Sequence, residues 1–476
     1  MKREELEHLD KNELIVIILT LAAKVAELEA RLNMNSKNSS KPPSSDVFNK
    51  PKSLRKPSGK KAGGQFGHEG NGLKLMSEPD KYVVHEPEEC AHCPNAANCN
   101  ADKTVCDTRY EIDIIINTST TAHQITSVVC PLSTEVLTGR FPEGVNSLMR
   151  YGVNIEALAI SLNTIGTVSV NRTHEILSGV FGVPISTGTI STMVSGFADT
   201  IQEPVKEIKG AVIEAALTNN DETGARMDKR TVWAHVASTD KLTYIEVQES
   251  RGKKGMDAIG ILCAFLGTVI HDCWASYFLF TAIRHGLCNA HLLRELTAVV
   301  ENTKQAWAQA LIDLLMRMKS VKEKLLEQNK HGPTADLVQK YSLEYDKILA
   351  DALEHNPPPI RDPAQKGRSK RGKTGALVDR LILHKDKYLL FFTDFSVPFD
   401  NNQAERDIRM FKVKQKVSGC FRTMEGARDF AAIMSYIGTA RKNGVSGFNA
   451  IKNALVGSPF SVKSLMGTEG AHFLRM

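Results

Sequence analysis

The sequence predicts an α/β chain: an α/β core with a large α-helical insertion, preceded by a coiled coil, a small cysteine-containing module and a helix-turn-helix-like helical segment. Three observations predict it. Leucine and β-branched residues recur at seven-residue spacing near the N-terminus, and cysteines crowd between Cys90 and Cys130. From about residue 215, two-residue alternation and helical periodicity take turns.

Bulk composition sets the frame. A chain of 476 residues exceeds one ordinary core and implies two or three domains. Apolar content of 42% with 24% charged residues is that of a globular protein. The net charge of +6 suits a polyanionic partner, and its distribution says more than its size. Seven Lys/Arg stand against Glu69 alone between Lys50 and Lys74, and a second basic cluster runs from Arg361 to Lys373. Nine cysteines, an odd number, exclude a secreted disulfide framework and fit a reducing cytoplasm with one metal site. The sustained apolar run Leu14–Ala23 is about half of what a membrane span needs, and acidic residues precede it where a signal peptide starts positive. The expectation is a soluble, cytoplasmic protein with no membrane partner.

The first element, residues 1–34, carries a heptad. Leu14, Leu21 and Leu28 fall at d, and Ile18, Val25 and Leu32 at a. That choice predicts a parallel two-stranded coiled coil, and so a homodimer or higher oligomer, with a single amphipathic helix as the alternative. Residues 35–78 are rich in Pro, Ser, Gly and Lys, which predicts a disordered basic linker able to hold DNA phosphates or to serve as a plain tether. Residues 79–143 read as short strands around a zinc module. Cys90-x-x-Cys93 has ligand spacing for tetrahedral Zn²⁺, completed by Cys99 and Cys106 or by His123 and Cys130.

Residues 144–205 read as helices over 151–163 and 171–181, a Gly182-Val183-Pro184 turn, and a helix from about Thr187 with Ser186 or Thr187 as N-cap. Helix, turn and helix predict a DNA-binding segment. In residues 206–455, strands over 231–239 and 242–250 precede a helix over 256–266, a buried strand over 268–274 and a short one over 286–290. Three strands, then helix–strand–helix–strand, is the order of a ribonuclease-H-like domain. A helical insertion fills about 292–390, and helices follow over 402–417 and 424–443, the last stopped by Gly444. Residues 456–476 form a C-terminal tail.

Three acids stand out. Asp221 opens NDETGARMD where the first strand should begin, and Asp272 ends the apolar run of TVIHDCWASY. Glu405 sits in the first turns of a helix capped by Asp400 or Asn401, with Arg409 on its face. An ionised carboxylate among Val269, Ile270 and Trp274 needs a partner or a cation. Two strands and a helix supplying oxygen ligands can hold two Mg²⁺ (or Mn²⁺) ions about 3.5–4 Å apart, the arrangement that activates a water or 3′-hydroxyl and stabilises a leaving oxygen. Singly, each acid has another reading: a turn residue, a helix cap, and an ion pair with Arg409. Glu222, Asp228, Asp400 and Asp407 are nearby decoys, and Asp407 should leave a different face of the helix from Glu405.

The blocks NDETGARMD, HDCWASY, CNAHLLREL and DNNQAERDIRMFKVKQKVSGCFRT resemble the transposases of the insertion sequence sixty-six family. So do NSSKPPSSD, VNRTHEILSGVFGVPISTGTIS and GARDFAAIMSYIGTARKNG, so the resemblance covers nearly the whole chain. It implies an acid triad on a ribonuclease-H-like core, matching Asp221, Asp272 and Glu405. It also implies cleavage at the ends of a bacterial insertion element, joining of the 3′-hydroxyls to target DNA, and small accessory proteins from the same element. DNA as partner adds nucleoid association to the cytoplasmic expectation.

Cys288-x-x-His291 resembles a motif found between the second and third acids of several transposase groups. It assigns His291 a part in positioning the scissile phosphate or moving a proton, against a buried Cys with a helix-capping His. Lys412, Lys414, Lys416 and Arg422, with Arg409, are spaced to line a groove for DNA phosphates, or to form a solvated basic face. Relatives carry a second C-x-x-C knuckle where this chain reads Cys130 to Ser133, one ligand short. Two other classes compete: a DNA-binding regulator without catalysis, and a ribonuclease-H-like nuclease acting in repair or on RNA.

Overall fold

The structure, a computed structural model, describes residues 9–35, 37–39, 78–94, 98–101, 104–114, 116–132, 135–142, 144–145, 147–358 and 371–463. The greater part of the linker over 35–78, the basic stretch 361–370 and the tail beyond 463 lie outside the described residues. The chain divides into two units, residues 52–120 and the rest. No described helix is long and apolar enough to cross a membrane.

In the smaller unit the described residues form a single helical turn, α2 (Glu88–Ala91), and no strand. The short strands expected around the cysteines lie later, in the larger unit, as an exposed hairpin of β1 (Ser127–Val129) and β2 (Val136–Thr138). The helix preceding the linker, α1 (Lys11–Leu32), starts on a capping box: the Asp10 carboxylate accepts the Asn12 and Glu13 N–H groups while Glu13 accepts that of Asp10. Its apolar residues, Ile18, Leu21, Val25, Leu28 and Leu32 among them, remain exposed.

A second group of helices follows: α3 (Val153–Thr164), α4 (Val170–Gly179), α5 (Thr187–Thr200) and α6 (Gln202–Glu214). Ser169 caps α4, and Ser186 caps α5 by accepting the Thr189 N–H. Ile160, Leu177, Ile190 and Phe197 form one core with Ile433, Tyr436 and Ile451 of two C-terminal helices.

The five-stranded mixed sheet runs β5-β4-β3-β6-β7. β3 (Leu217–Met227), β4 (Arg230–Ser238) and β5 (Thr243–Gln248) are antiparallel, and β6 (Thr268–His271) and β7 (Arg284–Leu287) join β3 in parallel. Antiparallel neighbours are joined by short turns, whereas parallel ones need crossovers. The crossover between β5 and β6 is helical, and Gly260 at φ 77° breaks the one expected helix into α7 (Lys253–Ile259) and α8 (Ile261–Ala264).

Strand alternation sorts the two faces. Val232, Ala234, Val236, Ile245 and Val247 face Ile408, Phe411 and Phe430 of α15 (Asn402–Ser418) and α16 (Met424–Lys442). Ala237 and Tyr244 face Ile208, Val212 and Ile259 on the other side. Each large side chain so buried stabilises the fold by about 1.5–3 kcal/mol. Between β7 and α15 lie α9 (Asn289–Thr303), α10 (Ala306–Glu327), α11 (Ala335–His355), α12 (Lys373–Leu383), α13 (Lys385–Tyr388) and α14 (Leu390–Thr393). They build their own core on Trp307, Leu311, Tyr345 and Phe391, which continues into Ile270 and Leu287 of the sheet. After α16, Gly444 at φ 81° ends the helix and α17 (Gly447–Leu455) follows.

Candidate active site

The β3–β6 ladder aligns the first two acids. Asn219 lies opposite Ile270, so Asp221 and Asp272, each two residues further on, leave neighbouring strands at the same level. Asp272 follows directly on the fully buried strand β6, and its Oδ1 accepts the Trp274 N–H at 3.2 Å. Asp221 is not at the start of its strand as the sequence suggested but inside an 11-residue one, because Leu217–Asn220 extend the ladder upstream.

Glu405 arrives on the first turn of α15. Asp400 caps this helix through Oδ1 to the Asn402 N–H at 3.1 Å, which leaves the Asn401 side chain for another task. Buried Asn401 donates from Nδ2 to the Asn220 carbonyl at 2.7 Å and accepts from Asn219 Nδ2 at 2.9 Å. Its own N–H points to Cys288 Sγ at 3.2 Å. The Cys288 N–H in turn donates to the His271 carbonyl at 3.0 Å, and the Asn289 N–H to the Phe399 carbonyl at 3.0 Å. The residues just before Asp221, Asp272 and the Glu405 helix are thus bonded into one frame. Nothing in the sequence singled out Asn401 for this; it read only as a helix cap.

The electrostatics follow from that convergence. The Asp221 carboxyl is held well above the ordinary aspartate range, first by burial and next by the charge of Glu222. The Glu222 N–H, 2.9 Å from Oδ1, opposes this, while Asp272 and Glu405 push the same way as Glu222. A half-buried carboxylate among three others fits hard divalent cations, which take oxygen ligands and supply the missing charge. Glu222 is raised too, by burial and then by Asp272, but both its oxygens are engaged. Arg251 Nη2 and Nε donate to Oε1 at 2.7 and 2.9 Å, and the Tyr277 hydroxyl donates to Oε2 at 2.8 Å. The Arg251 guanidinium itself lies 5.2 Å from the Trp233 ring and 4.1 Å from the Trp274 ring. Sequence reasoning missed Arg251 and Tyr277, since neither belongs to a motif of recognisable spacing.

His291 stands opposite Glu405. Its Nδ1 is 3.7 Å from Glu405 Oε1, and both atoms are buried without a hydrogen-bond partner. Cys288 is the N-cap residue of α9, and its sulfur takes the backbone N–H groups of His291 and Asn401. Burial, the largest effect on it, pushes its thiol up to about 12.

The other decoys have structural duties. Asp228 occupies the β3–β4 turn at φ 49°. Asp407 accepts from Lys442 Nζ at 2.6 Å, Ser238 at 2.7 Å and Thr243 at 3.0 Å, on a different face from Glu405. The alternative reading of Glu405, a surface pair with Arg409, does not form: Glu405 faces His291 and Arg409 is exposed.

The basic residues part company. Arg409, Lys416 and Arg422 are exposed, and Lys412, also exposed, donates to the Gly224 carbonyl. Lys414 turns inward to the Asn163 carbonyl at 2.8 Å, a carbonyl at the C-terminal end of α3. Burial lowers its pKa to about 8. A helix advances 100° per residue, so lysines two apart cannot share one groove-facing side.

Cys90, Cys93, Cys99 and Cys106 are all exposed thiols. Among the described residues they form no group of three ligating atoms; the group that does form is Cys288, His291 and Glu405, within 4.8 Å of one another. Cys130 is half-buried, and Ser133 lies outside the described residues.

Sheet, helices and carboxylate cluster together define the class: a mixed α/β protein with an acidic site on its sheet. The model of the Transposase IS66 family matches residues 149–429, more than half of the chain and all three acids, and the chain belongs to that family. Residues 1–74 match a family of unknown function (DUF6444). No curated protein matches the chain. A transposase role follows from the family.

Proposed function

We propose that the chain is a DNA transposase that cleaves the ends of an insertion element and joins the 3′-hydroxyls to target DNA, using Asp221, Asp272 and Glu405. The observation that carries this is the half-buried Asp221 carboxyl, set among Glu222, Asp272 and Glu405, whose charges push its pKa upward. Asp221, Asp272 and Glu405 would hold the divalent cations. When bound, these ions supply charge for the attacking and leaving oxygens of phosphoryl transfer. The sheet order, three antiparallel strands followed by two parallel ones, supports reading the core as ribonuclease-H-like with α9–α14 as its insertion.

The chain's own groups divide the remaining work. Asn401 and Cys288 fix the Glu405 helix against β3 and β6. Arg251 and Tyr277 hold the Glu222 carboxylate to themselves, which keeps this fourth acid from the cations. His291, facing Glu405, would meet a phosphate oxygen or exchange a proton. Arg409, Lys412, Lys416 and Arg422 supply exposed positive charge for the DNA backbone. Helices α3–α5 are the proposed DNA-binding segment and residues 79–143 the proposed cysteine module.

Helix α1 is read as half of a parallel coiled-coil dimer. Its a and d residues are exposed except for half-buried Leu14, and parallel pairing brings Lys24 at g to Glu29 at e of the second copy. Antiparallel pairing would match like with like.

The test uses full-length protein with DNA carrying the terminal repeats of the element and Mg²⁺. Wild type is expected to nick at the element ends, and Asp272→Asn is expected to be inactive. Equal cleavage by the two would refute the acid assignment.

A further inference from the structure

The pair of bare polar atoms between α9 and α15 leads further. We propose that Cys288, His291 and Glu405 form a second cation site, of mixed sulfur, nitrogen and oxygen donors, for a borderline-soft divalent ion such as Zn²⁺.

His291 Nδ1 and Glu405 Oε1 are buried and unpartnered, and each is expensive to leave so. At 3.7 Å they are too far apart to bond to each other. A nitrogen and an oxygen ligand of one tetrahedral zinc ion, each about 2.0–2.2 Å from it, stand roughly 3.3–3.6 Å apart. The pair therefore needs to move only a few tenths of an ångström to share an ion. Cys288 Sγ completes the set: one ligand atom from each of the three residues lies within 4.8 Å of the other two.

The local chain explains how the donors come together. Cys288 at the N-cap and His291 in the first turn of α9 are one helical turn apart, so both side chains emerge on one side. The backbone N–H groups of His291 and Asn401 point at the sulfur, as does the positive end of α9. These groups favour the thiolate, and coordination removes the thiol proton outright. Side-chain exposures of 26% for His291 and 23% for Glu405 leave solvent a way in.

The donor set separates this site from the triad. Asp221, Asp272 and Glu405 offer oxygen alone, which suits Mg²⁺, whereas thiolate and imidazole select zinc. Because Glu405 belongs to both, zinc here would draw it from the triad and slow Mg²⁺-dependent cleavage. That consequence rests on the transposase reading; the site itself does not.

The experiment uses the full chain with Cys90, Cys93, Cys99 and Cys106 replaced by Ser, titrated with Co²⁺ as a coloured stand-in for zinc. A near-ultraviolet thiolate-to-cobalt absorption should appear and saturate at one equivalent. It should vanish in Cys288→Ser, whose hydroxyl can accept the same two N–H groups. In His291→Gln it should persist with affinity lowered by at least the roughly tenfold that losing even a supporting partner costs. Circular dichroism checks each fold, and His291→Gln carries the test alone if Cys288→Ser is unfolded. A parent without the absorption, a band that survives Cys288→Ser, or unchanged affinity in His291→Gln overturns the site. None of these readouts involves DNA, so the site fails or stands separately from the cleavage reading.

Discussion

Cys90-x-x-Cys93 and Cys288-x-x-His291 carry the same spacing of ligand-bearing residues, and the structure treats them in opposite ways. The first begins on one helical turn and runs past its end, its thiols exposed. The second opens a 15-residue helix beside the sheet, its sulfur buried and held by the N–H of Asn401, 113 residues further on. Four residues can set a local geometry. A site also needs elements that arrive from far along the chain and a core that fixes them, and among the described residues only the second motif has both.

The largest effects should therefore fall on the acids beside the second motif. Asp221→Asn is expected to lower end cleavage by about 10³-fold or more, the scale of removing a group that stabilises transition-state charge. It should also stabilise the metal-free protein. The folded-state pKa of Asp221 is raised, so its favourable contribution is complete below the ordinary aspartate range and is lost as pH rises through the folded value. At neutral pH the wild-type residue then opposes folding. The melting-temperature gain in Asp221→Asn should shrink as pH falls toward 4, the unperturbed aspartate value, and Mg²⁺ should raise the wild type more than the variant. A variant that melts below wild type in chelator at neutral pH would contradict the burial of this charge.

A smaller effect compares the motifs directly by denaturant unfolding. Cys288→Ala strands the N–H groups of His291 and Asn401 and should cost about 1–3 kcal/mol. Cys90→Ala, at an exposed position, should stay within about 0.5 kcal/mol. Equal losses would remove the distinction between the two motifs.

How far the sequence could be read varied with what each signal depends on. Periodicity found β4, β5, β6 and β7 and helices α3, α4, α5, α15 and α16 within a few residues, because each carries apolar residues at the spacing of its element. Asp272 was legible from local physics, an acid ending a buried strand, and Glu405 from its capped helix. Asp221 depended on its sequence block, since the four residues before it carry little apolar pattern. Lys414 was misjudged because alternate positions were given one face, which a strand has and a helix does not. Asn401 and Arg251 stayed invisible for a different reason. Their roles consist of bonds to residues 181 and 29 positions away, and no local pattern encodes such pairing.

The most direct test of the central claim uses two acids two positions apart on α15. Glu405→Gln should abolish Mg²⁺-dependent cleavage of element ends while the protein stays folded. Asp407→Asn, which weakens the half-buried bond to Lys442, should lower the melting temperature yet keep cleavage at temperatures where it is folded. Cleavage that survives Glu405→Gln and disappears in folded Asp407→Asn would contradict the site.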